Sequence, residues 1–397
     1  MRDFAPRVLE WFDRYGRHDL PWQHPRTPYR VWLSEVMLQQ TQVATVIPYF
    51  GRFVESLPHL RALAAAPDDQ VLALWSGLGY YSRARNLHRA AQICVELHDS
   101  QLPDTLEELR TLPGIGRSTA GAILALAFDF RAPILDGNVR RVLIRHRGIE
   151  GDPLSPAVQS RLWALSEELM PSARVADYTQ AIMDIGATVC MRAQPRCPPC
   201  PLRTDCIAAG TGRTAQLPTP RRRPARSRRE CHALIVRDGN GRILLERRPA
   251  SGVWGGLWSI PEFRDRATLQ SSLSHALDPA TEGFTGAPLA TGLAPIRYRR
   301  SARRSDMPAV VGATPVATGT SYWPAQSAPL ALPAIRHTFT HFDLTLSPTL
   351  IDLDREICSV SELDSPRWFA AHELCGIGLP APIRKLLNRL PEPADVP

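Results

Sequence analysis

Lysine is almost missing from this 397-residue chain: Lys385 is the only one. Schiff-base chemistry in the first 384 residues would therefore need a terminal amine or a different residue type. No run of about eighteen apolar residues exists, so no membrane span is expected. The opening segment MRDFAPRVLEWFDRYGRH has no apolar signal core and carries Asp3 and Glu10, so neither a secretory nor a transit leader is expected. Cys94, Cys231, Cys358 and Cys375 are scattered and read as ordinary buried thiols, which fits a reducing cytosol. Alternating runs rich in Val, Ile and Thr are nearly absent before residue 207.

The length allows two to three domains with their own cores, and 44% hydrophobic residues is ordinary for a soluble protein. Apolar residues recur at helical spacing in VLEWFDRY, YRVWLSEVMLQQ, DDQVLALWSGL, RARNLHRAAQICVELH, STAGAILALAF and VQSRLWALSEELM. Breaks fall at Gly and Pro, as at Pro67, Gly77-Leu78-Gly79, Pro113 and Pro171. An all-helical domain over 1–210 is expected. After it, Cys231–Arg237 and Arg242–Arg247 flank Asp238-Gly239-Asn240-Gly241 and predict a hairpin. Phe342, Leu344 and Leu346 alternate with polar neighbours as a half-buried strand does. Pro382–Leu390 reads as a closing helix, so 230–397 is expected to be an α/β domain. Pro295–Pro333, rich in Ala, Pro, Arg and Ser, reads as a long loop.

The net charge of +8 is concentrated. Residues 211–229 hold seven Arg and no acid, in a Pro-rich stretch that reads as a linker. It is either a solvated spacer or a phosphate-binding strap.

Cys190, Cys197, Cys200 and Cys206 form a Cys-x6-Cys-x2-Cys-x5-Cys array. Four thiolates on one short loop can wrap a single metal centre. Zinc usually takes two separated Cys-x2-Cys knuckles, whereas a 4Fe–4S cluster accepts uneven spacing. The spacing therefore favours 4Fe–4S over zinc, or over two disulfides.

Leu112-Pro113-Gly114-Ile115-Gly116 precedes Arg117-Ser118-Thr119-Ala120-Gly121. A Gly-rich turn that feeds a helix N-terminus exposes backbone N–H groups to a phosphate. Asp136-Gly137-Asn138-Val139 follows twenty residues later, and the four cysteines come after it. That order, over residues 20–206, resembles the helix-hairpin-helix DNA glycosylase superfamily. Within it, Leu33–Val43 (LSEVMLQQTQV) and Gly77–Arg83 (GLGYYSR) are similar to MutY-type adenine DNA glycosylases. Arg336–Phe342 (RHTFTHF) resembles that family's C-terminal lesion-reading loop, and Trp254–Pro261 (WGGLWSIP) resembles the recognisable part of a Nudix-like fold. No Arg-Glu-x-x-Glu-Glu helix of a working Nudix hydrolase is present.

The resemblance implies a monofunctional enzyme that excises adenine opposite 8-oxoguanine or guanine in double-stranded DNA. It implies a cytoplasmic, nucleoid-associated monomer. Breaking an N-glycosidic bond needs a proton on the departing base and a negative charge beside the developing cation. By resemblance Glu35 supplies the proton; without that context it is an exposed helix glutamate. Asp136 stabilises the cation or attacks it, and is otherwise a helix N-cap. Asn138 orients Asp136. Gln40 and Tyr80 fill or wedge the gap left by the extruded base, although Tyr80 also reads as a core aromatic. Trp22 and Arg26 border the adenine pocket. Gly114, Gly116 and Ser118 hold the DNA backbone. Ser118 stands where bifunctional relatives place a nucleophilic lysine. Phe339, Thr340 and His341 read the lesion, with Thr340 in place of the usual serine. Two rivals remain: a non-catalytic iron–sulfur DNA-binding redox sensor, which needs neither Glu35 nor Asp136, and an endonuclease III-like bifunctional glycosylase, which would lack this second domain.

Overall fold

The computed structural model describes residues 3–220, 225–276, 328–353 and 366–391. They fall into two compact units: Met1–Ala66 with Ser82–Arg223, and Pro67–Tyr81 with Pro224–Pro397. The division departs from the expected domain at 1–210, because Pro67–Tyr81 groups with the later unit.

The described elements of the first unit are helical. It begins with α1 (Phe4–Tyr15), α2 (Pro28–Leu38), α3 (Val43–Ser56) and α4 (Leu60–Ala65). Helix α5 (Asp68–Trp75) belongs to the later unit. The first unit resumes with α6 (Ser82–Leu97), α7 (Leu106–Thr111), α8 (Arg117–Phe128), α9 (Gly137–Arg147), α10 (Pro156–Leu169), α11 (Val175–Asp184) and the short α12 (Ile207–Gly210). Local chemistry explains the starts. Thr27 caps α2 by accepting from the Arg30 N–H at 3.3 Å, and Pro28 fits the first turn. Thr105 caps α7 by accepting from the Glu108 N–H at 3.3 Å, and its hydroxyl donates to Glu108 Oε2 at 2.7 Å. Helix α8, RSTAGAILALAF, buries every residue from Ala120 to Leu126, as a helix apolar on all sides must. It packs against α2 and α11.

One core cluster of this unit runs from Phe4 and Val8 through Ala125 and Leu143 to Ala208 and Leu217. Leu217 is buried, so the stretch that reads as a linker over 211–229 is anchored at its start. Its end also differs from expectation, because a strand begins at Ser227.

In the later unit a mixed sheet is built from β1 (Ser227–Arg237), β2 (Ile243–Arg247), β3 (Trp258–Ser259), β4 (Glu262–Phe263), β5 (Leu330–Ala331), β6 (Ile335–Thr338), β7 (Phe342–Asp352) and β8 (Arg367–Phe369). The main order is β3-β2-β1-β7-β5. The expected hairpin is β1–β2, paired antiparallel at Arg237↔Ile243. Strand β7 runs parallel to β1 from Ser227↔Phe342 to Arg237↔Asp352, and its burial alternates as expected. Helices α13 (Arg266–Ala276) and α14 (Ala381–Leu387) also belong to this unit among the described residues, and α14 lies near the expected 382–390. The loop expected at 295–333 lies largely outside the described residues. Its described end contains β5, which pairs with β7 at Leu330↔Leu350.

Candidate active site and cysteine loop

A cavity of about 1030 Å³ opens in the first unit, where α2, α8, α9 and the end of α11 meet. Five of the residues predicted from sequence line it: Glu35, Gln40, Ser118, Asp136 and Asn138. Trp22 lines it too, whereas Arg26 is exposed and not part of its wall.

Glu35 is the one position between Val31 and Met37 that α2 does not bury completely. Its neighbours Val31, Trp32, Leu33, Val36 and Met37 all point into the core. Desolvation, reinforced by the nearby Asp136 charge, pushes the Glu35 pKa up to about 8. At neutral pH this carboxyl is therefore protonated.

Asp136 reaches the same cavity from the N-terminus of α9. Its Oδ1 accepts from the Val139 N–H at 2.7 Å, so it is the N-cap of that helix as well. Burial raises its pKa, opposed by the Val139 and Asn138 amides and by Arg141 and Arg140. The segment before it is held tightly. Ser118 Oγ accepts from the Leu135 N–H at 3.0 Å. A Cβ on Gly121 would stand 2.5 Å from the Pro133 carbonyl oxygen, so only glycine lets this segment lie against α8.

The Asn138 backbone amide holds Asp136, while its side-chain Oδ1 accepts from Arg141 Nη2 at 2.8 Å. Arg141 also donates to the carbonyls of Gly186 and Cys190, at 2.5 and 2.7 Å. Gly186 lies against Asn138, and a Cβ there would come within 2.6 Å of Asn138 Cβ. Gly186→Ala is therefore expected to displace Asn138 and with it the first turn of α9, which Asp136 caps.

Sequence reasoning passed over Arg17, Arg141, Gln180 and Asp184. Arg17 and Gln180 line the cavity, and both donate to the fully buried Asp184, Arg17 Nε at 2.9 Å and Gln180 Nε2 at 2.7 Å. An aspartate inside the apolar run AIMDIGATV was a usable signal, since a buried carboxylate requires partners. Arg141 gave none, standing among several arginines of α9.

Gly114 and Gly116 lie outside the cavity wall, in the turn between α7 and α8. Gly114 has φ +82°, and its carbonyl accepts from Gln39 Nε2 at 3.4 Å. Gly116 caps α8, and a Cβ there would meet nothing within 4 Å, so that approach is open.

Cys190, Cys197, Cys200 and Cys206 line one separate cavity, with Arg145 in its wall. Arg145 is 3% exposed and donates to Cys190 Sγ at 3.4 Å, as well as to the carbonyls of Met191, Arg192 and Leu217. Arg7 on α1 grips the same loop through Thr204 and Asp205, both at 2.8 Å. Among the described residues, no three His, Cys, Asp or Glu side chains are arranged to hold a metal ion directly. Four thiols lining one void are the donor set that a thiolate-held metal centre needs.

In the later unit, Tyr80 and Thr340 come together, their hydroxyl oxygens 3.2 Å apart. Tyr80 is 46% exposed with φ +51°, so it is not the core aromatic that one reading allowed. Phe339 joins a ring cluster that the sequence did not reveal: it stacks on Phe342 at 4.5 Å and meets His337 and Trp254 at 4.6 and 5.3 Å. His341 stays exposed.

Residues 33–168 match the model of the HhH-GPD superfamily base excision DNA repair protein, and residues 232–389 match that of the NUDIX domain. An adenine DNA glycosylase of Buchnera aphidicola subsp. Acyrthosiphon pisum is 40% identical over 263 residues, covering 66% of this chain and 75% of that protein. The adenine DNA glycosylase of Homo sapiens is 39% identical over 311 residues, covering 65% of this chain and 57% of that one. A solved thermostable thymine-DNA glycosylase aligns over 53% of this chain and 96% of its own, with TM-score 0.49 and 25% identity.

Proposed function

This chain belongs to the adenine DNA glycosylase family, and we propose that it removes adenine standing opposite 8-oxoguanine or guanine, as a monofunctional and monomeric enzyme. The observation that carries the reading is one cavity lined by both Glu35 and Asp136, where burial pushes the Glu35 pKa up to about 8.

The Glu35 proton passes to the five-membered ring of the departing adenine. The bond from the sugar carbon to the base breaks, and its electron pair leaves with the base. The Asp136 carboxyl stands beside the resulting cation, whose charge favours its ionised form. Water adds to that carbon and returns a proton to Glu35. Trp22 and Gln40 border the extruded nucleotide. The open Gly114–Gly116 turn and the first amides of α8 take a backbone phosphate. Tyr80, with Phe339, Thr340 and His341, reads the opposite base. The redox-sensor reading leaves the Glu35–Asp136 pairing unexplained.

The four cysteines would hold a 4Fe–4S cluster, which when bound cross-links a Pro- and Arg-rich loop that buries little of its own. Purified protein is expected to be yellow-brown with about four irons per chain. Cys200→Ser should lose iron and DNA affinity together. Stoichiometric zinc in fully active protein would overturn this assignment.

Monofunctional chemistry follows from Ser118. The product should be an intact strand with an abasic site, cut only by alkali or heat. Ser118→Lys should introduce strand cleavage, because an amine would enter the cavity beside the electrophilic sugar carbon. The substitution forfeits the bond to Leu135, a loss of about 1 kcal/mol that folding should survive. Efficient cutting by wild type at neutral pH, with a borohydride-trapped adduct in the first unit, would refute the proposal.

A further inference from the structure

Pro67–Tyr81 lies in chain order between α4 and α6 of the first unit, yet it packs within the later one. Long-range bonds at both ends of α5 hold it there. In its first turn, Asp69 Oδ1 accepts from Arg247 Nη2 at the end of β2 and from Trp258 Nε1 in β3, each at 3.1 Å. Beyond its last turn, Ser76 Oγ donates to the Leu379 carbonyl at 2.8 Å, and the Tyr81 hydroxyl donates to the same oxygen at 3.3 Å. Between them, Leu72 lies so close to Gly378 that a Cβ there would stand 2.6 Å from Leu72 Cβ.

The turn after α5 is fixed from within. Gly77 and Gly79 adopt φ +108° and +73°, and Tyr80 itself is left-handed. Trp75 Nε1 donates to the Gly79 carbonyl at 3.2 Å, and the Gly77 N–H donates to the Tyr81 hydroxyl at 3.3 Å. A left-handed tyrosine persists only where its surroundings over-determine it. The result is a half-exposed ring whose hydroxyl meets Thr340.

We propose that Pro67–Tyr81 is an arm of the lesion-reading unit, and that Asp69 is the positioning residue that sets where Tyr80 stands. The proposal rests on the reading of Tyr80 and Thr340 as the pair that senses the base opposite adenine. Helix α5 is a short rigid rod pinned at two ends. Releasing the Asp69 end leaves it pivoting on Leu379, and the Tyr80–Thr340 contact loosens. Asp69 is not in the cavity that holds Glu35, so the chemical step is untouched.

The test compares wild type, Asp69→Ala and Asp69→Asn as full-length protein. Two quantities are read. One is amide hydrogen exchange over Ser76–Tyr81. The other is the ratio of affinities for duplexes carrying a non-hydrolysable adenine analogue opposite 8-oxoguanine or guanine. Asp69→Ala is expected to raise exchange in this segment and to lower the affinity ratio about tenfold, the size of one lost charge-assisted hydrogen bond. Single-turnover excision at saturating enzyme should stay within about twofold of wild type. Asp69→Asn keeps an acceptor oxygen and should recover most of the ratio, which a merely unfolded variant would not do. Wild-type exchange and ratio in Asp69→Ala would overturn the proposal, as would equal loss on both duplexes together with slowed excision. If wild type itself ignores the opposite base, the lesion-reading role of the unit fails, while the exchange data still decide whether Asp69 holds the arm.

Discussion

Glu35→Gln is expected to slow adenine release by roughly 10²–10⁴ while leaving DNA affinity near wild type. Glutamine matches the shape of the carboxyl but has no proton to give the base. The effect is large because α2 buries the residues around Glu35 and the Asp136 charge stands near, holding its pKa at about 8. A raised carboxyl pKa keeps the acid form to higher pH, so activity is present below the pKa and lost above it. The wild-type single-turnover rate should fall about tenfold per pH unit above pH 8, and that alkaline limb should vanish in Glu35→Gln. Near-normal excision by the variant, or an unchanged limb, would remove Glu35 from its role.

Asp136→Asn separates two functions of one side chain. As N-cap of α9, Asp136 accepts from Val139, and asparagine caps about equally well. Stability should therefore change by less than about 1 kcal/mol. As the anion beside the developing cation it has no neutral substitute, so the excision rate should drop by roughly 10²–10³. The lost charge also stops raising Glu35, so the residual activity should show its alkaline limb at lower pH than wild type. A stable variant with wild-type excision would leave Asp136 as a cap alone.

The sequence disclosed features whose cause is local. The period of STAGAILALAF gives a buried helix because every face is apolar, and the alternation around Phe342–Leu346 gives a strand with one wet face. Glu35 and Asp136 were legible through motif resemblance, and one cavity receives both. What was not legible depends on contacts between distant positions. The parallel pairing of β1 with β7 joins residues more than a hundred apart and leaves no trace in either strand's composition. The attachment of α5 to the later unit depends on bonds such as Arg247 to Asp69, and nothing in DDQVLALW predicts its partner. Asn138 bonds Asp136 through its backbone amide, and the hold that Arg141, one helical turn along, has on its side chain left no signal in the sequence.

The central claim is that protonated Glu35, acting with Asp136, releases adenine from a duplex whose opposite base is read by the later unit. Single-turnover adenine release from duplexes with 8-oxoguanine, guanine or cytosine opposite the adenine tests it most directly. Release should be fastest opposite 8-oxoguanine, slower opposite guanine and negligible opposite cytosine, always leaving an uncut strand. Equal rates on all three duplexes, or no adenine released from any, would contradict it.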